Sequence, residues 1–525
     1  MNALTHRKRF LRWYFLLPVL FVVGGVVVPV SYLILRAFQA DADVVVDLVF
    51  RMRNLRLLAN TFLLTAGVLA LGSAIALPLA WLTTRTDIRF PRAFTLLGVL
   101  PLAVPGYVMA YVLLATTGQY GTLARLFGLE IPRISGYGGA LLALSLSTFP
   151  YLFLNLRTAL LGLDRSLEET ARSLGYGPRR VLLRVIGPQL RPAFSAGALL
   201  VGLHVLGDFG VVSLMRFETF SYALYLQYSA SFDRIYAAWL ALMLLGLTGT
   251  VLLLEARLLR GLLLHRTGAG VARRTVPARL GPWKLPAYAF LLIVAASSVG
   301  ISVTTVAYWM GETASGLWAD LARALWASFS ASAPAALLAA TLALPIAYLA
   351  VREPSRSTRA LERLAYFGYA TPPLAFALAF IFFSLQSMPW AYQTLGLLIC
   401  AYALHFMAEA MGPLRSALYQ APPSVEEAAR TLGRSPMRAF FEATFPLLRR
   451  GLFVSIAFVF LSAMKELPIT FLLSPIGFET LAVKVWGYTS EALFGAAAPF
   501  ALAIMLFSSL FVGLLLMQGN AERDR

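Results

Sequence analysis

One polar stretch of this chain occurs twice, in register. Glu168-Glu169-Thr170-Ala171-Arg172-Ser173-Leu174-Gly175 is followed by Pro178, Arg180, Pro188 and Arg191. Glu426-Glu427-Ala428-Ala429-Arg430-Thr431-Leu432-Gly433 is followed by Pro436, Arg438, Pro446 and Arg449, at a constant offset of 258. The pairs Arg157/Arg415 and Asp208/Glu466 share that offset. A gap-free charged repeat inside an apolar chain marks an internal duplication. Each copy is short and lies between long apolar runs. Each is therefore expected to be a cytoplasmic loop with its own helices, held between two membrane spans.

The apolar runs fix the fold class. The chain is 59% hydrophobic and 13% charged, against about 25% charged residues in soluble domains. Spanning runs fall near 13–38, 60–84, 94–116, 138–162, 193–215 and 237–260, then 287–309, 327–350, 363–385, 393–414, 451–473 and 496–517. Runs of this length cross a bilayer as helices, which satisfy their backbone internally. The expectation is an all-α polytopic membrane protein with about 12 transmembrane helices in two homologous six-helix halves. The halves are residues 1–264 and 287–525, with polar loops at about 163–192 and 419–450. Residues 265–286, rich in Gly, Pro and basic side chains, read as a solvated cytoplasmic linker. The run after His6-Arg7-Lys8-Arg9 is too long for a signal peptide and reads as an uncleaved span. A second register relates Leu77-Pro78-Leu79-Ala80-Trp81 to Leu344-Pro345-Ile346-Ala347-Tyr348, and Pro105 to Pro372, at offset 267. The longer loop Thr117 to Tyr137 accounts for the change of offset.

The net charge of +19 follows this topology. With the N-terminus cytoplasmic, 33 basic residues fall on cytoplasmic segments and 9 on external ones. That asymmetry places both termini and both repeated loops in the cytoplasm. The basic surface then faces anionic lipid and a protein partner, and nucleic acid is not implied. The single cysteine, Cys400, lies in an apolar run and excludes an internal disulfide framework.

Catalytic signatures are missing from the sequence. There is no Gly-x4-Gly-Lys-Ser/Thr phosphate cradle and no Gly-x-Ser-x-Gly elbow. The chain reads as a non-enzyme, without a cofactor or a resident metal. Its intramembrane ionisable residues are Asp208, Glu409, Lys465 and Glu466, with His204 and His405 nearby. Charges are costly in lipid, so these residues are candidates for a translocation pathway or for interhelical hydrogen bonds. His204 and Asp208, and His405 and Glu409, are four apart, a spacing that puts each pair on one helical face.

The repeated loop resembles a motif of permease subunits of ABC importers: Glu-Ala-Ala, three residues, Gly, nine residues, Ile-x-Leu-Pro. The matching residues are Glu169, Thr170, Ala171, Gly175 and Pro188, and Glu427, Ala428, Ala429, Gly433 and Pro446. Thr170 replaces an Ala, Val185 and Ala443 replace the Ile, and Gly187 and Phe445 replace the Leu. The resemblance implies two coupling helices that seat on ATPase subunits, carried by Glu168, Glu169, Ala171 and Gly175 and by Glu426, Glu427, Ala429 and Gly433. Ser166 and Ser424 are expected as N-caps, and Gly175 and Gly433 as left-handed helix ends. The implied partners are two ATP-binding cassette ATPase subunits, an external solute-binding protein and membrane lipid. The implied location is the bacterial cytoplasmic membrane.

Gly207-Asp208-Phe209-Gly210, Lys465-Glu466-Leu467-Pro468-Ile469-Thr470 and Gly477-Phe478-Glu479-Thr480-Leu481-Ala482-Val483 look like the ferric-iron importer permeases, which are fused two-half chains. Thiamine importer permeases share Asp-Phe-Gly-type segments, so another small solute stays open. A secondary transporter with parallel repeats is a further alternative, but it does not account for the duplicated loops.

Overall fold

The computed structural model describes residues 2–163, 165–229, 233–258, 277–312 and 317–521. Every secondary-structure element among these residues is a helix, apart from one isolated β-bridge. The first half runs through α1 (Asn2–Ala37), α2 (Ala42–Val49), α3 (Met52–Arg85), α4 (Pro91–Val99), α5 (Gly106–Thr116), α6 (Thr122–Phe127) and α7 (Gly136–Gly162). The first polar loop follows as α8 (Arg165–Ser173) and α9 (Pro178–Val181). Then come α10 (Gly187–Gly207), α11 (Gly210–Leu214), α12 (Phe220–Ser229) and α13 (Arg234–Leu258).

The second half repeats this order. It begins with α14 (Lys284–Ala295), α15 (Ile301–Gly311), α16 (Leu317–Arg352), α17 (Arg356–Ala370) and α18 (Pro373–Ser387). Two helices, α19 (Leu395–His405) and α20 (Met407–Gln420), stand where α7 is continuous. The second polar loop is α21 (Pro423–Thr431) and α22 (Pro436–Ala439), followed by α23 (Phe445–Met464), α24 (Pro468–Leu473), α25 (Leu481–Ser490) and α26 (Phe494–Ala521).

Among the described residues, eight helices are long and apolar enough to cross a membrane, or up to 11 if each bent pair counts as one span. The last expected run, 496–517, falls on α26. Three expected straight spans are broken. The pairs Pro91–Ala103 with Gly106–Thr116, Arg356–Ala370 with Pro373–Ser387, and Leu395–His405 with Met407–Gln420 bend by 96°, 103° and 50°. Proline explains the first two. It disfavours helical geometry at the preceding residue, and Val104 before Pro105 and Thr371 before Pro372 are both extended.

The helices gather into two compact units, and neither coincides with a sequence half. One unit comprises Met1–Arg51, Ala223–Leu245 and Gly316–Lys484. Here α16 packs on α19, α20 and α23, while α1 lies against α16, α17 and α18. The buried side of α16 is made of small residues, including Ala324, Ser328, Ala331, Ala335, Ala339 and Ala343. Lipid is as apolar as leucine, so close backbone approach and dispersion hold such helices together, and small side chains permit both. The Trp239 indole donates to the Ala37 carbonyl at 2.8 Å, tying α13 to the end of α1. The other unit comprises Met52–Tyr222, Gly246–Ser315 and Val485–Arg525. There α7 packs between α3 and α10, and α15 lies against α5 and α26.

The expected solvated linker is partly docked. Residues 265–276 lie outside the described residues. Beyond them, Ala278 donates its N–H to the Arg85 carbonyl at 2.8 Å and accepts from the Asp87 N–H at 3.1 Å. The Asp87 carboxylate accepts from the Leu280 N–H at 3.0 Å and pairs with Lys284 at 2.9 Å. The Lys284 hydrogen bond, then the Leu280 amide, hold the Asp87 carboxyl below its ordinary pKa. A depressed carboxyl contributes its attachment fully above the ordinary value, near 3.9, and loses it as pH falls through the lowered value. Protection of the Leu280 amide from hydrogen exchange, measured against its intrinsic rate at each pH, is therefore expected to hold at neutral pH and to be lost well below pH ~4. Asp87→Asn is expected to lower that protection at neutral pH.

Candidate functional site: the two coupling loops

Each polar loop is built from two short helices and a π-helical turn. Both first helices end in the same hydrogen-bonded cap. Gly175 N–H donates to Arg172 and Tyr176 N–H to Ala171, at 2.9 and 3.0 Å. In the copy Gly433 N–H donates to Arg430 and Arg434 N–H to Ala429, both at 3.1 Å. Gly175 has φ +81° and Gly433 φ +84°, the left-handed region where a Cβ is unfavourable. The expected helix ends are thus present in both copies.

The expected N-caps are not. Ser166 and Ser424 each lie one residue inside their helix, because α8 begins at Arg165 and α21 at Pro423. Proline at the first helical position is already set for helix and lacks the N–H that would be left over, so α21 starts earlier than its serine suggests.

After α9 and α22 come π-helical turns at Leu182–Ile186 and Phe440–Thr444. Pro188 and Pro446, six residues beyond the start of each turn, explain them. Neither proline can donate to the carbonyl four residues back, and its ring presses on that carbonyl. The backbone widens locally, and π turns of this kind are frequent at functional sites.

The two glutamates of each pair face opposite ways. Glu169 and Glu427 are exposed. Glu168 is 8% exposed and Glu426 5%. Arg85, at the end of α3, donates to Glu168 at 2.9 Å and to the Leu160 carbonyl at 3.0 Å. In the copy Tyr348 donates to both Glu426 oxygens at 2.9 and 3.2 Å, Thr444 at 3.1 Å, and Arg430 at 2.5 Å. Arg352, the 267-offset mate of Arg85, donates to the Ala421 carbonyl at 2.7 Å. The alanines differ as well: Ala171 is buried and Ala429 half-buried.

The residues read from the sequence leave out two strongly exposed leucines of these loops. Leu174 is 72% exposed and Leu432 84%, each just before the capping glycine. Their common register was the available signal. In the second loop Leu432, Gly433, Arg434, Ser435 and Arg438 border a surface recess.

The intramembrane ionisable residues sit at helix breaks. Asp208 follows the last residue of α10, and its Oδ1 accepts the Val211 and Val212 N–H groups at 2.9 and 3.4 Å. Glu466 lies two residues beyond the end of α23, and its Oε1 accepts the Ile469 N–H at 3.0 Å. Each carboxylate thus caps the short helix beyond it. Lys465 is the residue just past the end of α23, between Met464 and Glu466.

The one-face expectation for the histidine pairs fails, because a helix ends between the partners. α10 stops at Gly207, before Asp208, and α19 stops at His405, before the bend that precedes Glu409. His204 is exposed and packs its ring 6.1 Å from Tyr151. Glu409 accepts from Ser462 at 2.6 Å, and these two are the 258-offset mates of Tyr151 and His204. The same helix contact is thus made twice with different chemistry. His405 is buried among Tyr369, Phe376 and Phe406. No group of three or more His, Cys, Asp or Glu side chains able to hold a metal ion occurs among the described residues.

Comparison with known proteins follows the duplication. The family model described as binding-protein-dependent transport system inner membrane component matches residues 72–262 and 339–523, once around each polar loop. The chain is 33% identical over 496 residues to the Fe(3+)-transport system permease protein FbpB 2 of Haemophilus influenzae, covering 93% of this chain and 94% of that one. It is 22% identical over 495 residues to the ferric transport system permease protein FbpB of Actinobacillus pleuropneumoniae, covering 87% and 71%. A shorter match, 35% over 156 residues, joins 28% of this chain to 67% of the molybdenum transport system permease protein ModB of Escherichia coli. The helical membrane architecture, the duplicated loops and the two matched segments agree: the chain belongs to the binding-protein-dependent transport system inner membrane component family, the permeases of ABC importers.

Proposed function

We propose that this chain is the permease of a ferric-iron importer, one polypeptide supplying both membrane halves. Two separate ATPase subunits dock on α8 and α21 from the cytoplasm. An external solute-binding protein delivers the iron, and ATP-driven closure of the ATPases moves both loops together and alternates access across the membrane. The observation that carries the iron assignment is the Fe(3+) permease relative, which matches 93% of this chain. The exposed Glu169 and Leu174, with Glu427 and Leu432, support docking at two equivalent faces.

Substrate choice is tested by ATPase stimulation in the reconstituted complex. A ferric-loaded binding protein is expected to stimulate hydrolysis, and binding proteins loaded with molybdate, sulfate or thiamine are not. Stimulation by one of the latter, with none by the ferric form, would replace the iron assignment.

The 33-to-9 basic asymmetry supports both termini in the cytoplasm. In a Cys400→Ala background, cysteines placed at Thr5 or Ala521 are expected to resist an impermeant thiol reagent in intact cells and to react after permeabilisation. Labelling of either in intact cells would reverse the orientation.

A further inference from the structure

The first glutamate of each pair lies on the coupling helix but turns away from the surface that a partner can reach. A buried carboxylate is costly unless it is paired and hydrogen-bonded. Both copies keep one, and they satisfy it differently. Glu168 takes a guanidinium from α3, supplied by Arg85. Glu426 takes a tyrosine hydroxyl from α16, a threonine hydroxyl from the π-helical turn and Arg430 of its own helix.

Two features are common to both solutions. The carboxylate reaches the last turns of the long helix α3 or α16. The arginine ending that helix also donates to a carbonyl just before the loop, Leu160 or Ala421. Each coupling helix is therefore tied to one long span and to the end of the helix leading into the loop. In the second half it is also tied to the base of α23, because Thr444 lies in the turn that precedes it.

We infer that Glu168 and Glu426 are positioning residues: each clamps its coupling helix to α3 or α16, so that a displacement of the helix moves that span and does not dissipate in the loop. This rests on the reading that α8 and α21 carry the ATPase subunits. It separates the glutamates into two roles, with Glu169 and Glu427 facing the partner and Glu168 and Glu426 facing the protein. The clamps are also unequal. The first is one ion pair that depends on Arg85, whereas the second distributes its bonds over three side chains.

The test uses Glu168→Gln and Glu426→Gln, singly and together, in the complex with ATPase and binding protein in proteoliposomes. ATPase retained per permease is expected to stay within about two-fold of wild type, because the surface facing the partner is unchanged. Solute moved per ATP hydrolysed is expected to fall about 10-fold, the scale of one lost charge-assisted hydrogen bond. Glu168→Gln is expected to have the larger single effect. Arg85→Lys, which keeps the charge, restores most of the coupling that Arg85→Gln loses.

Wild-type coupling in the double variant overturns the inference. So does loss of ATPase retention in correctly inserted Gln variants, which would make these glutamates direct contacts. If the wild-type permease itself retains no ATPase, the docking reading fails instead. The clamp is then read from spin labels on cysteines at Thr170 and Arg89, and at Thr431 and Glu353, with no ATPase present. Broader distance distributions in the Gln variants support the clamp, and unchanged ones refute it.

Discussion

Gly175→Glu and Gly433→Glu are each expected to weaken ATPase retention about 30-fold while leaving the chain inserted, the effect of losing about 2 kcal/mol at a central interface position. The reasoning is local. A Cβ at either glycine meets no atom within 4 Å, so the substitution causes no clash. What it meets is a left-handed backbone, at φ +81° and +84°, which costs a non-glycine residue roughly 1–2 kcal/mol. It also sets a charge beside Leu174 or Leu432, which are 72% and 84% exposed. Gly175→Ala and Gly433→Ala separate the two causes, since alanine brings the strain without the charge. The alanine variants are expected to lose retention less severely than the glutamate ones. Co-purification of the ATPase and its substrate-stimulated hydrolysis are the readouts. Normal values in both glutamate variants would remove these glycines from the docking face.

The second large effect is expected at the helix breaks. We propose that Asp208 and Glu466 each take part in translocation, and Asp208→Asn with Glu466→Gln is expected to abolish most iron uptake with assembly intact. The structure makes these substitutions informative. Asp208 and Glu466 cap α11 and α24 through side-chain oxygens. Asparagine is as good a cap as aspartate, and glutamine keeps an acceptor oxygen, so the amide variants remove the charge and spare the cap. Asp208→Ala removes both and is expected to lose about 1 kcal/mol of stability besides. Unchanged uptake in both amide variants would leave the carboxylates as helix caps alone.

The parts of this architecture visible in the sequence are those where polarity changes against an apolar background. The repeated loops stood out because charge is rare in this chain. Their capping glycines did too, because only a helix end needs them at that register. The breaks at Pro105 and Pro372 did not, because apolar character runs straight through them. Hydropathy records burial in lipid, and the two bends lie in the backbone. The histidine pairs show the converse error. A spacing of four implies one face only within a helix, and α10 and α19 end too soon.

The anchors of Glu168 and Glu426 were hidden for another reason. Their partners are unlike residues, Arg85 and Tyr348, placed four residues apart in the 267 register while the glutamates follow the 258 register. No repeated motif links them, and only the packing of α3 and α16 against the loops brings them together.

If one chain carries two ATPase docking sites and passes ferric iron at the expense of ATP, reconstituting the permease with its ATPase subunit and binding protein, and counting radioactive ferric iron inside the vesicles, will show it. Uptake is expected only when ATP, ATPase and loaded binding protein are all present, in a complex holding two ATPase subunits per permease chain. Accumulation driven by an ion gradient without ATP, or one ATPase subunit per chain in an active complex, would contradict it.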